Sequence, residues 1–268
     1  MQRASANIVA DTPASPGGAT TQFVIPASTS LQELRPRTLK YGDTFAVFDH
    51  NGDALSGPGS PAGLFHRDTR YLSRLYLTVE GQRPLLLSST LRDDNATLTC
   101  DLTNQDLFNP AGALILEHDL LHLRRSCFLW NGACYERLAV RNFDERPQRV
   151  RVDIAFAADF ADLFEVRGAR RARRGRMQEP AIGSDRETLA YLGLDERRRA
   201  TTLRFDPAPN RLTAEQATFH FEIGPKEACA LVLEIRCDGA GGGETLRRAR
   251  FATRAGRCAL PPHGRLRS

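Results

Sequence analysis

Three carboxylates, Asp159, Asp162 and Glu165, share one short stretch that runs into Arg167. Acids held this close can act as a general acid and base when their surroundings push them to different protonation states. Phe160, Leu163 and Phe164 lie between them at helical spacing, which predicts one helical turn. Such a turn also uses its acids as caps and ion-pair partners, and this is the preferred reading of the three. A second cluster, Phe65, His66, Arg67, Asp68, Arg70 and Tyr71, crowds charge into a short connection. Dense charge on a loop carried by a rigid sheet marks a binding or docking surface. From the residues alone, ion pairs that fix the loop are the favoured alternative.

No metal or cofactor is expected. His118 and His122 have the i, i+4 spacing of a zinc helix but lack its glutamate. The residues around them alternate as a strand, which would hold the two rings ~13 Å apart. Residues 239–243 are glycine-rich but lack the lysine of a phosphate loop, and Glu244 would repel an anion. There is no nucleophile elbow and no Cys–His pair.

These groups must be positioned mainly by strands. Apolar residues recur at every second place over residues 75–79, 84–91, 96–103, 113–130, 135–141 and 149–156, which is strand spacing. Residues 75–79 and 84–91 read as a hairpin about the Glu80-Gly81-Gln82 turn, and Asn51-Gly52 reads as a second hairpin turn. Residues 105–112 read as a loop. Four further strands are predicted over residues 188–194, 200–206, 217–223 and 228–237. The fold class is therefore all-β: a large antiparallel β-sandwich of the supersandwich kind. Residues 1–37, rich in Ala, Ser, Thr, Pro and Gly, are expected to form a disordered tail. Residues 38–238 form the sandwich, and residues 239–268 a linker and the start of a short basic helix.

Composition narrows the function classes. The chain carries a formal charge of +5, with 37 basic and 32 acidic residues. Such a charge bears on solubility and weak anion attraction, not on fold. The arginines of residues 167–176 should be solvated or should meet acidic groups. No aromatics interleave them, so nucleic acid is not the expected partner. No apolar run approaches the ~20 residues of a membrane helix, and no apolar leader core precedes the fold. A cytoplasmic protein is the expectation. The six cysteines show no zinc spacing. A two-residue Asn131-Gly132 turn would pair Leu129 with Cys134, leaving Cys127 diagonal to Cys134 at roughly 7–8 Å. That is too far for a disulfide, so all six are expected to be reduced.

Four stretches stand in register: GLFHRDTRYLS from Gly63, RPLLLSSTLRDDNATLTCDLTN from Arg83, RRSCFLWNGACYERLAVRN from Arg124 and ADFADLFEVRG from Ala158. Together they resemble the N-terminal module of bacterial glycogen-debranching, amylo-alpha-1,6-glucosidase-like proteins. The resemblance is strong from residue 39 to about residue 168 and looser to about residue 238. It implies a β-sandwich that packs against a helical-barrel catalytic domain, with an α-glucan as the eventual substrate. In that family the hydrolytic carboxylates belong to the barrel, so no catalytic residue carries over to this chain and no activity of its own is expected. Trp130, Phe65 and Tyr71 are the aromatics that could stack on sugar rings, although a lone Trp at a hairpin tip more commonly packs against a neighbouring domain. The expectation is that residues 65–71, Trp130 and Asp159–Arg167 converge on one side as the docking face. Free-standing glucan binding, and anionic-polymer binding through the arginine run, are the alternatives.

Overall fold

The structure, a computed structural model, describes residues 35–57, 60–109 and 111–237. The expected tail before residue 35, the expected linker and basic helix over residues 239–268, and Cys258 lie outside these residues.

In chain order the first strands are β1 (Arg37–Tyr41), β2 (Thr44–Phe48), β3 (Ala54–Leu55), β4 (Gly63–His66), β5 (Thr69–Leu72), β6 (Arg74–Val79) and β7 (Leu85–Leu91). The middle of the chain supplies β8 (Thr97–Thr103), β9 (Leu107–Phe108), β10 (Leu114–Leu116), β11 (Leu121–Trp130), β12 (Ala133–Asn142) and β13 (Gln148–Ala157). After helix α1 (Leu163–Val166) come β14 (Arg176–Met177), β15 (Ala181–Ile182), β16 (Arg186–Leu192), β17 (Arg198–Asp206), β18 (Arg211–Leu212), β19 (Gln216–Ile223) and β20 (Ala228–Cys237). They form an all-β sandwich of antiparallel sheets. The large sheet runs β14-β16-β17-β20-β12-β11-β8-β7, with β15 also on β16; a second runs β18-β19-β13-β6-β3 and a third β1-β2-β4-β5.

Alternation explains the packing. Leu121, Leu123, Cys127 and Leu129 of β11 face inward, as do Val150, Val152, Ile154 and Phe156 of β13 and Phe219, Phe221 and Ile223 of β19. These rows meet in one core between the sheets. Each fully buried side chain of this size contributes roughly 1.5–3 kcal/mol.

The two expected hairpins are not hairpins. β6 pairs with β13 and β3, whereas β7 pairs with β8 in the other large sheet. The turn at Glu80-Gly81-Gln82 therefore carries the chain from one sheet to the other. The Asn51-Gly52 turn does the same, since β2 pairs with β4 and β3 with β6. Inward-facing apolar residues on each strand select the sheet, and local turn chemistry does not override them. As the sheet's edge strand, β7 leaves Leu85, Leu86 and Leu87 exposed. Residues 105–112, expected as a loop, include β9, which pairs with β10 in a separate two-stranded ladder.

Two buried polar features interrupt this core. Arg125 of β11 stands at an inward position and meets Asp53 at 2.6 Å and Glu136 of β12 at 2.7 Å. Asp53 also accepts from Leu77 N–H and from Arg83, so the cluster ties three strands of two sheets together. Glu187 of β16 is fully buried, and neither carboxylate oxygen has a hydrogen-bond partner among the described residues. Burial, then the charge of Glu215, pushes its carboxyl from 4.5 up to about 7. Because the folded state holds the proton more tightly, this destabilises the fold as pH rises. The penalty is absent below the unfolded value and complete above about 7. A shift from 4.5 to about 7 corresponds to about 3 kcal/mol. Glu187→Gln is thus expected to stabilise the protein by up to about 3 kcal/mol in urea unfolding at about pH 8, and by little at about pH 5.

Candidate functional site

The stretch from β4 to β5 is a tight hairpin rather than a loop. Arg67 and Asp68 form its two-residue turn with φ of 46° and 65°, the left-handed pair that matches strand twist. Only these two side chains project into solvent. Phe65 is buried and stacks on Phe45 at 4.5 Å between ring centroids. His66 is buried with Nδ1 2.9 Å from Thr44 Oγ1; burial, then the Arg67 charge, lowers its pKa. Tyr71 and Arg70 are buried as well. Expected to face a partner, these four side chains are instead turned into the fold: β4 lies between β2 and β5, and Thr201 of β17 donates to Tyr71 O.

Residues 159–167 join the hairpin from the other side. Arg70 donates to both oxygens of Asp159, at 3.1 and 2.5 Å, and to the carbonyl of Ala62. Thr69 bridges to Asp162, and Leu163 N–H donates to Asp68 O. Phe160 has φ of 50°, unusual for a bulky residue. It is held there by burial between Tyr191, stacked at 5.6 Å, and Tyr71, edge-on at 5.6 Å.

The helical turn forms because Asp162 caps it. Asp162 Oδ1 accepts from Phe164 N–H and Glu165 N–H, and Glu165 Oε2 accepts from Asp162 N–H at 3.1 Å, a reciprocal capping box. The arginine run then folds back over the turn. Arg171 pairs with Asp162 at 2.5 Å and Arg174 with Glu165 at 2.9 Å, while Arg174 also lies over the Tyr191 ring. Burial raises the Asp162 pKa, but donation from Glu165 N–H and Arg171 outweighs it and holds the carboxyl below its usual value. The acidic groups that the run meets therefore belong to its own chain. Arg171, Arg174, Tyr191, Asp195 and Arg199 border a cleft of about 310 Å³ beside this turn. Phe164 is 65% exposed and Arg167 is exposed, both outside the residues that line the cleft.

Trp130 lies by the β1 edge of the β1-β2-β4-β5 sheet, away from the β5 edge that Asp162 bridges. Tyr41, Thr44, His66, Thr69 and Asp162 are successive partners across β1, β2, β4, β5 and the turn. Four strand spacings separate Tyr41 from Asp162, about 19 Å. Trp130 packs on Tyr41, 4.7 Å between centroids. The expected pairing of Trp130 with Ala133 and of Leu129 with Cys134 is present. Tyr41 is the residue that sequence reasoning missed: the contact joins strands far apart in the chain, and no local pattern carries it.

His118 and His122 bind separate aspartates, Asp106 and Asp101, each at 2.9 Å. Among the described residues no group of three His, Cys, Asp or Glu side chains is arranged to hold a metal. No helix there is long and apolar enough to cross a membrane. Cys100, Cys127 and Cys134 are buried thiols in no disulfide. Cys127 and Cys134 lie diagonally, as expected, but their sulfurs approach to 3.0 Å because both side chains point into the same packed interior, so the expected distance that excluded a disulfide does not hold.

The sandwich is similar to a protein described as a kojibiose phosphorylase from the human microbiome, with a TM-score of 0.51 and 7% identity over 80% of this chain. The chain spans about a third, 32%, of that protein. A galactose mutarotase-like protein from Lactobacillus casei ATCC 334 matches with a TM-score of 0.43 and 11% identity, over 75% of this chain and 99% of its own. No curated protein sequence matches. A family signature described as the N-terminal domain of some glycogen debranching enzymes matches residues 39–234, so the chain belongs to that family.

Proposed function

We propose that this chain is a non-catalytic module of a glycogen-debranching protein, and that the rim around Arg67, Asp68, Phe164 and Arg167 docks a helical-barrel catalytic domain. The observation that carries this reading is the state of the carboxylates. Asp159, Asp162 and Glu165 are each engaged by an arginine, Arg70, Arg171 and Arg174 respectively. A carboxylate engaged this way spends its oxygens on its own chain's guanidinium groups, so the acids shape a surface instead of cleaving a bond. The exposed rim mixes one large aromatic with arginine and aspartate, the composition found at interfaces. The arginine run has less to offer an anionic polymer, since two of its guanidinium groups are already paired internally.

A helical-barrel domain from a family member, produced as a separate chain, is expected to co-elute with this one at equal stoichiometry. Phe164→Asp is expected to weaken that complex at least tenfold, about 1.4 kcal/mol, without lowering the thermal midpoint, because Phe164 lies outside the core. Absence of a complex, or equal affinity of the variant, would contradict the docking role.

A further inference from the structure

We propose that Cys127 and Cys134 are a redox pair, closed into a disulfide by a hydroperoxide and reopened by a dithiol. Their sulfurs lie 3.0 Å apart, about 1 Å more than the length of the bond itself. A flat ladder holds diagonal neighbours roughly 7–8 Å apart, and here the two side chains converge instead. Both are buried thiols in no disulfide. The approach is thus between two reduced groups, and a small further convergence makes the bond.

The hairpin fixes this diagonal. Leu129 faces Cys134 one rung below the Trp130–Ala133 pair that closes the Asn131-Gly132 turn, and Cys127 faces Glu136. The turn has φ of 46° and 69°, the left-handed pair that sets the register of a two-residue hairpin. The flanking strands place Leu98 of β8 beside Cys127 and Ile235 of β20 beside Cys134. Cys100 stands farther along β8, opposite Arg125, with its sulfur 3.8 Å from Ser89 Oγ.

The same end of the hairpin offers a way in. β8 begins opposite Phe128, so Leu129 and Trp130 run past it. Cys127 keeps 5% of its surface exposed and Cys134 none. Local opening there brings a small oxidant to Cys127 first. The Cys127 sulfur takes one peroxide oxygen as the O–O bond breaks, which leaves a sulfenic acid and releases one water. The Cys134 sulfur then displaces that oxygen, which departs as a second water with the Cys134 proton. Two thiols lose two electrons in all, and hydrogen peroxide becomes two waters. The hydrogen bond with Cys134, then burial, pushes the Cys127 thiol well above its usual value. Little thiolate is present, so the closure is slow and answers sustained oxidation.

Arg125 and Arg137 bracket a tryptic peptide, residues 126–137, that carries Cys127 and Cys134 and no other cysteine. The intact, dithiol-reduced chain is treated with hydrogen peroxide until Met177, 49% exposed, is fully converted to the sulfoxide. It is then alkylated in denaturant without reductant and digested. The peptide is expected to carry no alkyl group and to weigh about 2 Da less than its dithiol form. Dithiothreitol before alkylation is expected to restore two alkyl groups. The proposal is overturned if the peptide still takes two alkyl groups once Met177 is oxidised. It is equally overturned if the peptide gains about 32 Da as a sulfinic acid, or if it is found cross-linked to the peptide of another cysteine.

Discussion

Replacing Arg125 by Met is expected to remove about 3–5 kcal/mol of folding stability, because it strands two buried carboxylates. The Arg125 side chain is 4% exposed, and its partners Asp53 and Glu136 are 1% and 5% exposed. Arg83 still reaches Asp53 at 3.0 Å, but Glu136 loses its two bonds from Arg125. The sign of the pH dependence follows from the same geometry. Burial already raises the Asp53 pKa in the parent protein, and removing the guanidinium raises it further, so the variant's folded state prefers a protonated Asp53. The loss in urea unfolding is therefore expected to be larger at about pH 8 than at about pH 5. A loss under about 1 kcal/mol at both pH values would show that the cluster does not join the sheets.

Gly63→Ala is expected to cost about 3 kcal/mol, combining backbone strain with a steric clash. Gly63 has φ of 142°, and an added Cβ would lie 2.4 Å from Leu72 O and 2.7 Å from Arg70 Cδ. Leu72 O belongs to the paired strand β5, so it cannot yield without opening the hairpin. Arg70 would move too, and with it the bidentate hold on Asp159. Gly42→Ala separates the two causes: Gly42 has φ of 54°, but no atom lies within 4 Å of its Cβ position. That variant is expected to lose only about 1 kcal/mol in the same unfolding measurement. Equal losses for the two would assign the effect to φ alone.

What was legible in the sequence was whatever is local. Val150, Val152, Ile154 and Phe156 announce their face by spacing, and Asn131-Gly132 announces its turn by residue type; both stand as read. Sheet membership was not legible. Leu75 to Val79 and Leu85 to Leu91 look like two arms of one hairpin, yet long-range packing puts them in different sheets. Arg125 at an inward place on β11 breaks the apolar alternation, and only its two distant acids explain it. The arginine run was read as solvated or in contact with acidic groups, and which acids it meets, Asp162 and Glu165 just before it, was not legible. The chain's reversal over the α1 turn, which brings them together, has no local signal. The charged hairpin showed its residue types but not their burial, so Phe65, His66, Arg70 and Tyr71 looked available when they hold the framework.

The claim that this module supports carbohydrate chemistry without performing it is tested most directly by glucose release from a limit dextrin. The purified chain alone is expected to release no more than a buffer blank, and Asp162→Asn and Glu165→Gln to behave identically. Turnover that persists through purification and disappears in either variant would contradict the account, since it would place a working acid in a turn where both carboxylates are held by arginine.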